Sequence, residues 1–431
     1  MPHRWLWPAS RHPAATITRG ASERAVQGVS LTPSPHTGTE AAIRGLVRAA
    51  LAEHVGDGGA ALTPGAAVIV EWGDHEVLGE ARGLAQRHDC RQPLRRPLDL
   101  QTRFDLASIT KAVATTAALM RLVGDGRLDL TTQACELIPE FAGDGKDDVT
   151  IAHLLGHEAG LAPWEPVYLH AQDRAAALDW VAERPLTAPP GQRHSYSDLG
   201  FMLLGGVLEA ATGLRLDEVA RQEVTEPLGL TATGYRPRMA GVQEHAAGST
   251  AAERPPSFAA TSCGDAHEHR MIATGVPYAV DGDPDAFTGW REHALVGEVN
   301  DGNAWHAFGG VAGHAGMFGT AGDLATLGRA LLAGARGRDN PLAPPPVVQR
   351  FIQPTGSGRQ ALGWWRDPGD ARAGGRLVGH SGFTGGRLAV DPANESVVVL
   401  LTNRQQLGPP HPDITPLWRQ IVAALPDRRP R

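Results

Sequence analysis

The chain has 431 residues, a length suited to two ordinary domains or to one large domain with an insertion. Hydrophobic residues make up 42% and charged residues 20%, enough to build a sizeable core, and a net charge of -7 argues against a general nucleic-acid or anionic-membrane binder. The three cysteines, Cys90, Cys135 and Cys263, are far apart and odd in number, which points to no disulfide framework and permits a reducing compartment.

Residues 1–37 are rich in Pro, Ser, Thr and Arg without periodicity and read as a loosely attached arm. They hold no continuous apolar run, so no signal peptide or anchor is read there, and the expected location is cytoplasmic. Thr39 then caps an amphipathic helix that places Ile43, Leu46, Val47, Ala50 and Leu51 on one face. GAAVIVEWG and EVLGEARG predict two strands joined at Gly73-Asp74. Residues 84–103 are polar and Arg-rich and predict a loop.

FDLAS leads into a helix, KAVATTAALMRLVGDG, that stops at Gly124-Asp125-Gly126. The middle of the chain predicts helices at 150–156 (capped by Thr150), 171–184, 198–212 and 322–333. Within it, 236–306 is rich in His, Gly and Pro and reads as long loops. Strands return in ALGWWRD, GRLVGHS, GRLAVDP and SVVVLLTNR, before a last helix, ITPLWRQIVAAL. Strands at both ends with helices between them suggest one antiparallel sheet flanked by the terminal helices, with a mostly helical insertion and a cleft between the two regions. The sheet region is 38–110 and 335–431, and the helical region is 111–334.

Chemistry concentrates in three short segments. In Ser108-Ile109-Thr110-Lys111 the i, i+3 spacing on a helix brings the Lys ammonium to the Ser hydroxyl. The helix start offers free N–H groups to an oxyanion. Serine needs such a base or cation to act as a nucleophile, although the pattern by itself is a common accident of helices. Tyr196-Ser197-Asp198 stands at a helix entrance, where a nearby cation lowers a phenol pKa; the bland alternative is an Asp198 cap with a packed Tyr. His380-Ser381-Gly382 lies between two strong strands, where glycine lets a substrate backbone approach closely; the bland alternative is a plain turn.

In this order the three segments resemble the signature S-x-x-K, Y-x-N/D, K/H-x-G of the penicillin-recognising serine hydrolases, and most of all the class C β-lactamase branch with its D,D-peptidases and esterases. FDLASITK, VTIAHLLGHEAGL and GGVAGHAGMFGTAGDLATL are similar to that family's flanking segments, so the likeness spans about residues 40–420. It implies an α/β (α+β) fold of the β-lactamase/transpeptidase kind, with a serine hydrolase domain over 38–431. Ser108 would attack the carbonyl of an ester or amide to form an acyl-enzyme. Lys111 and Tyr196 would share the proton work. The backbone N–H groups of Ser108 and Phe383 would form the oxyanion hole, and substrate would lie along the strand beginning near Phe383.

Two departures matter. Asp198 replaces the usual Asn, and a carboxylate accepts from Lys111 but cannot donate to a substrate carbonyl. His380 replaces the Lys of typical β-lactamases and is largely neutral near pH 7. Both disfavour a substrate carboxylate, so weak or no β-lactamase activity is expected. The rivals are a D-alanyl-D-alanine carboxypeptidase or class C β-lactamase, and a catalytically impaired binding or sensor protein on the same fold.

Other signals carry less. His153 and His157 have a zinc-compatible i, i+4 spacing without HExxH or a third ligand. His267, Glu268 and His269 read as a solvated loop, and His306 and His314 flank a Gly-rich segment that lacks the ending of a phosphate loop. Trp164 reads as a packed core residue rather than a substrate wall. The expected partner is a small-molecule ester, amide or peptide substrate, with no metal, cofactor, nucleic acid or membrane.

Overall fold

A computed structural model describes residues 37–73, 75–237, 257–356, 358, 360–367 and 376–426. The arm expected at 1–37 lies outside the described residues except for Thr37. In chain order the first elements are α1 (Thr37–His54), β1 (Gly65–Trp72), β2 (His75–His88), β3 (Pro93–Pro97) and β4 (Phe104–Asp105). The helical middle follows with α2 (Ala117–Gly124), α3 (Ile151–Leu155), α4 (Arg174–Ala182), α5 (Asp198–Thr212), α6 (Leu216–Ala220) and α7 (Glu226–Leu228). Then come β5 (Gly234–Tyr235), β6 (Ala260–Cys263), α8 (Ala266–Thr274), β7 (Ala294–Val296) and β8 (Met317–Gly319). The chain closes with α9 (Ala321–Ala335), α10 (Pro345–Ile352), β9 (Trp365–Arg366), β10 (Val378–Ser381), β11 (Arg387–Asp391), β12 (Ser396–Thr402) and α11 (Thr415–Ala423).

Seven strands form one antiparallel sheet in the order β3-β2-β1-β12-β11-β10-β9, which joins the two ends of the chain as expected. The period-2 geometry of β1 divides its residues between two cores. Ala66, Val68 and Val70 meet Ile43, Val47 and Leu51 of α1 and Leu417, Trp418 and Ile421 of α11. Ala67 and Ile69 face the other way, into the larger core shared with α9 and the helical middle. A strand buried on both faces must be apolar throughout, and β1 is buried at every position. Small sheets of β4-β8-β5 and β6-β7 complete the described strands.

Several local expectations change. Helix α1 already runs at Thr37, so Thr39 lies inside it and is not its cap. Residues 84–103 are not one loop: β2 continues to His88 and pairs with β3. The span 236–306 is not all loop either. Its residues 238–256 lie outside the described set, but β6, α8 and β7 lie in the rest. Cys90 and Cys263 form a disulfide with Cα atoms 5.6 Å apart, which corrects the expectation of no disulfide framework. A pairing across 173 residues cannot be read from cysteine spacing. Cys135 remains free.

Candidate active site

The turn between β4 and the following helix positions Ser108. Asp105 accepts the Ala107 N–H at 2.8 Å and the Asn300 N–H at 2.6 Å. This holds Ala107 in the left-handed region at φ 45°, a conformation that costs a non-Gly residue about 1–3 kcal/mol. Burial raises the Asp105 carboxyl to about 6 in spite of these bonds. Beyond the turn, Lys111–Thr116 is wound as a π-helix before α2 begins, a local winding common at functional sites.

Lys111 is fully buried and reaches back to Ser108, with Nζ donating to Ser108 Oγ at 3.1 Å. It also donates to the His314 carbonyl at 3.2 Å and meets Asp198 Oδ1 at 2.6 Å. The Tyr196 ring lies 5.0 Å from Nζ. Burial pulls the ammonium pKa down, but Asp198 and then Tyr196 outweigh it, and the Lys111 pKa is raised. Burial raises the Tyr196 phenol. Lys111 pulls it down, Asp198 pushes it up, and the hydroxyl hydrogen-bonds to Ser108 and Lys111. The resting site therefore holds a charged lysine and a neutral phenol.

Local caps explain why Asp198 is free for this task. The Asp198 cap of the bland alternative is not formed. Ser197 is the N-cap of α5, its Oγ accepting from Gly200 N at 3.2 Å, so the Asp198 carboxylate turns to Lys111. His157 supports the same segment from below. Its Nδ1 accepts the Ser197 N–H at 3.0 Å, and its ring lies 4.4 Å from that of Tyr196. Burial and then Lys111 push the His157 pKa well down, so the ring is a neutral acceptor. His153 instead caps α3 through the Thr150 N–H.

The Gly-rich segment at 309–316 closes the back of the site. A Cβ on Gly313 would lie 2.0 Å from the Phe201 carbonyl oxygen, so only glycine lets this loop touch α5. That contact brings the Gly313 carbonyl to Thr115 Oγ1 at 2.7 Å and the His314 carbonyl to Lys111. The His314 ring pairs with Asp301 at 2.9 Å, and His306 pairs with Asp265 at 2.9 Å. The AHEHR run is helix α8, not a solvated loop. Its Glu268 is in hydrogen-bond contact with Tyr168 Oη at 2.8 Å and with the Gly302 N–H at 2.7 Å.

Strand β10 supplies the opposite wall. It pairs with β9 only through Val378 and Gly379, which leaves the edge at His380-Ser381 unpaired among the described residues. The strand ends at Ser381, and Phe383 sits in the turn that follows, so this edge precedes Phe383 rather than beginning there. Gly382 packs on the Ser108 turn, where a Cβ would lie 2.6 Å from the Leu106 carbonyl oxygen. Thr384 Oγ1 donates to the Asp105 carbonyl at 2.8 Å and fastens the same two segments. Among the described residues, the backbone N–H groups of Ser108 and Phe383 donate no hydrogen bond. His380 Nδ1 contacts the Ser381 carbonyl at 2.8 Å, an acceptor, so Nδ1 carries the ring proton and the buried Nε2 presents a lone pair. Burial, then Lys111, lowers its pKa to about 3.

A cavity of about 540 Å³ lies beside Asp198, whose N–H donates to Pro163 O. Trp164, Glu165, Tyr278 and Asp281 line it, and the rings of Trp164 and Tyr278 stack at 6.2 Å. Trp164 is thus both buried and part of a cavity wall. Among the described residues, His88, Cys90 and Cys263 group with metal-ligand spacing, but the two sulfurs are joined in the disulfide.

The structure thus brings together Ser108, Lys111, Tyr196, Asp198 and the β10 segment, all of which the sequence singled out. His157 was weighed only as a zinc ligand, and Thr384 and the His314 carbonyl carried no signal of their own.

Comparison with known proteins agrees with this geometry. The family model "Beta-lactamase" matches residues 46–423. A "Putative D-alanyl-D-alanine carboxypeptidase" of Salmonella agona (strain SL483) is 32% identical over 377 residues, covering 82% of each chain. Among solved structures, "EstCE1, a hydrolase with promiscuous acyltransferase activity" superposes with a TM-score of 0.63 at 21% identity, covering 91% of this chain and 100% of its own. A penicillin-binding protein homologue from Caulobacter crescentus superposes with a TM-score of 0.61 at 22% identity, covering 90% of this chain and 98% of its own. The family match spans the sheet, the helical insertion and all three motif segments, and the chain belongs to the β-lactamase family as a serine hydrolase on that fold.

Proposed function

We propose that Ser108 is the nucleophile of an acyl-enzyme and that the substrate is an ester or amide, D-alanyl peptides included. One observation carries the reading: Ser108 Oγ stands 3.1 Å from a buried lysine that is itself held by Asp198 and Tyr196. Attack by Oγ forms the bond to the carbonyl carbon. The Ser108 proton passes into the Lys111–Tyr196–Asp198 network. The carbonyl oxygen gathers the negative charge and accepts from the N–H groups of Ser108 and Phe383, which donate to nothing else among the described residues. The leaving group takes a proton from the network, and water then releases the acyl group from Ser108.

The curated relative's name supports a D-alanyl peptide as the substrate, and the edge at His380-Ser381, unpaired among the described residues, suits an extended peptide backbone. The assembled cluster argues against an impaired sensor. Steady-state turnover of p-nitrophenyl esters, acyl-D-Ala-D-Ala peptides and a chromogenic cephalosporin tests the reading. The proposal expects turnover of the esters or the peptides exceeding that of the cephalosporin. Turnover of none of the three, or of the cephalosporin alone, contradicts it.

A further inference from the structure

His88, Cys90 and Cys263 meet where the end of β2, the turn toward β3 and the end of β6 come together, and all three are half-buried. One ligand atom from each lies within 4.8 Å of the other two. The Ser108 cluster uses none of them. In the oxidised chain the two sulfurs are joined. In a reducing compartment such a pair is two thiols.

The imidazole is already oriented for a metal. His88 Nε2 contacts the Gln406 carbonyl at 2.8 Å, and a carbonyl only accepts, so Nε2 carries the ring proton. Nδ1 therefore presents its lone pair, which accepts the Cys90 N–H at 3.2 Å and faces Cys263 Sγ at 3.8 Å. A ring whose far nitrogen donates to a backbone carbonyl has the outer support usual for a metal-bound histidine. Gln406 is itself fixed to both strands: its Oε1 accepts the Arg87 N–H at 3.1 Å and its Nε2 donates to Thr261 O at 2.9 Å. Tetrahedral zinc, with bonds of about 2.3 Å to sulfur and about 2.0 Å to nitrogen, sets its S and N ligands roughly 3.6 Å apart. The Nδ1–Sγ separation is close to that already. The two sulfurs must stand roughly 3.8 Å apart, which opening their bond allows.

We propose that reduction turns Cys90 and Cys263, with His88, into a Zn²⁺ site, so that the ion replaces the covalent bond as the tie between β2 and β6. A dithiol reductant supplies two electrons and two protons and leaves as a disulfide, and the S–S bond opens to two thiols. Zn²⁺ then displaces both thiol protons to solvent and takes the two thiolates and His88 Nδ1, which gives up the Cys90 N–H. Water fills the fourth position. Two thiolates and an imidazole suit zinc, whereas Mg²⁺ and Ca²⁺ take oxygen ligands.

The test uses the full chain in two states, oxidised, and reduced with a phosphine and then desalted without oxygen. After loading with Zn²⁺ and dialysis, the reduced chain is expected to hold one more zinc ion than the oxidised chain. Co²⁺ added to the reduced chain should give thiolate-to-cobalt charge-transfer absorption and the visible bands of a tetrahedral ion, and the oxidised chain should give neither. His88→Ala should weaken Zn²⁺ binding by the reduced chain at least roughly 100-fold, whereas Cys135→Ser should leave it unchanged. Equal zinc content in the two states, or no charge-transfer band in the reduced chain, overturns the proposal. Undiminished binding in His88→Ala, or a loss in Cys135→Ser, overturns it too. Because a variant can fail to fold, a second measurement uses the wild type alone. Zn²⁺ should raise the denaturation midpoint of the reduced chain and leave that of the oxidised chain in place, because an ion that binds only the folded, reduced site stabilises it by mass action. Equal shifts in the two states, or no shift in the reduced chain, contradict the site.

Discussion

Lys111 Nζ lies 2.6 Å from Asp198 Oδ1, and this buried ion pair sets the charge of the whole site. Asp198 puts an anion beside the buried lysine, and the anion raises both Lys111 and Tyr196. Whichever of the two accepts the Ser108 proton, it must first lose its own.

Asp198→Asn therefore has a defined sign. Removing the anion lowers the pKa of Lys111 and of Tyr196 alike, so the acidic limb of the kcat/KM profile moves to lower pH with either group as the base. The pH–rate profile checks this. A limb that stays in place or moves to higher pH contradicts it.

His157→Ala removes the acceptor for the Ser197 N–H and a ring packed against Tyr196. The expected loss of stability is about 2–5 kcal/mol, from an unpaired buried donor together with a cavity. The catalytic effect should fall on kcat more than on KM, because Tyr196 loses its support while the β10 edge is untouched. Chemical denaturation and steady-state kinetics measure the two effects.

Glu268 provides a pH signature away from the catalytic cluster. Burial, then Asp301, raises its carboxyl from 4.5 to about 8. The folded state keeps a proton that the unfolded chain has already released, so this group makes stability fall as pH rises from about 4.5 to about 8. Glu268→Gln should flatten that slope and leave the variant relatively more stable at the alkaline end. Denaturation midpoints across this window give the result.

The disulfide predicts a thiol count. Unreduced protein made in an oxidising compartment should titrate one thiol, Cys135, when denatured, and three after reduction. Cys263→Ser should cost about 2–5 kcal/mol under the same oxidising conditions, because the bond ties the end of β2 to β6 across a long loop.

Much of the site was legible because its chemistry sits in short local patterns. Ser108 and Lys111 are three residues apart, and the Tyr196 and His380 segments keep their own order along the chain. The sheet was legible because β1 and β12 are apolar runs of strand length. What was missed depends on contacts distant in sequence. His157 meets Tyr196 from about forty residues away, and Cys90 finds Cys263 through the fold. β3 and α8 were missed because arginines and histidines mask their periodicity. The Ser197 cap was missed because both neighbours are good caps, and only the Lys111 charge decides which one turns inward.

Covalent labelling of Ser108 tests the central claim most directly. Intact protein treated with a fluorophosphonate probe should gain one adduct, mapped by peptide mass analysis to the segment containing Ser108. Ser108→Ala should lose both the adduct and hydrolysis, with turnover falling roughly 10⁴- to 10⁶-fold. An adduct at another residue, or hydrolysis that survives in Ser108→Ala, would contradict the account.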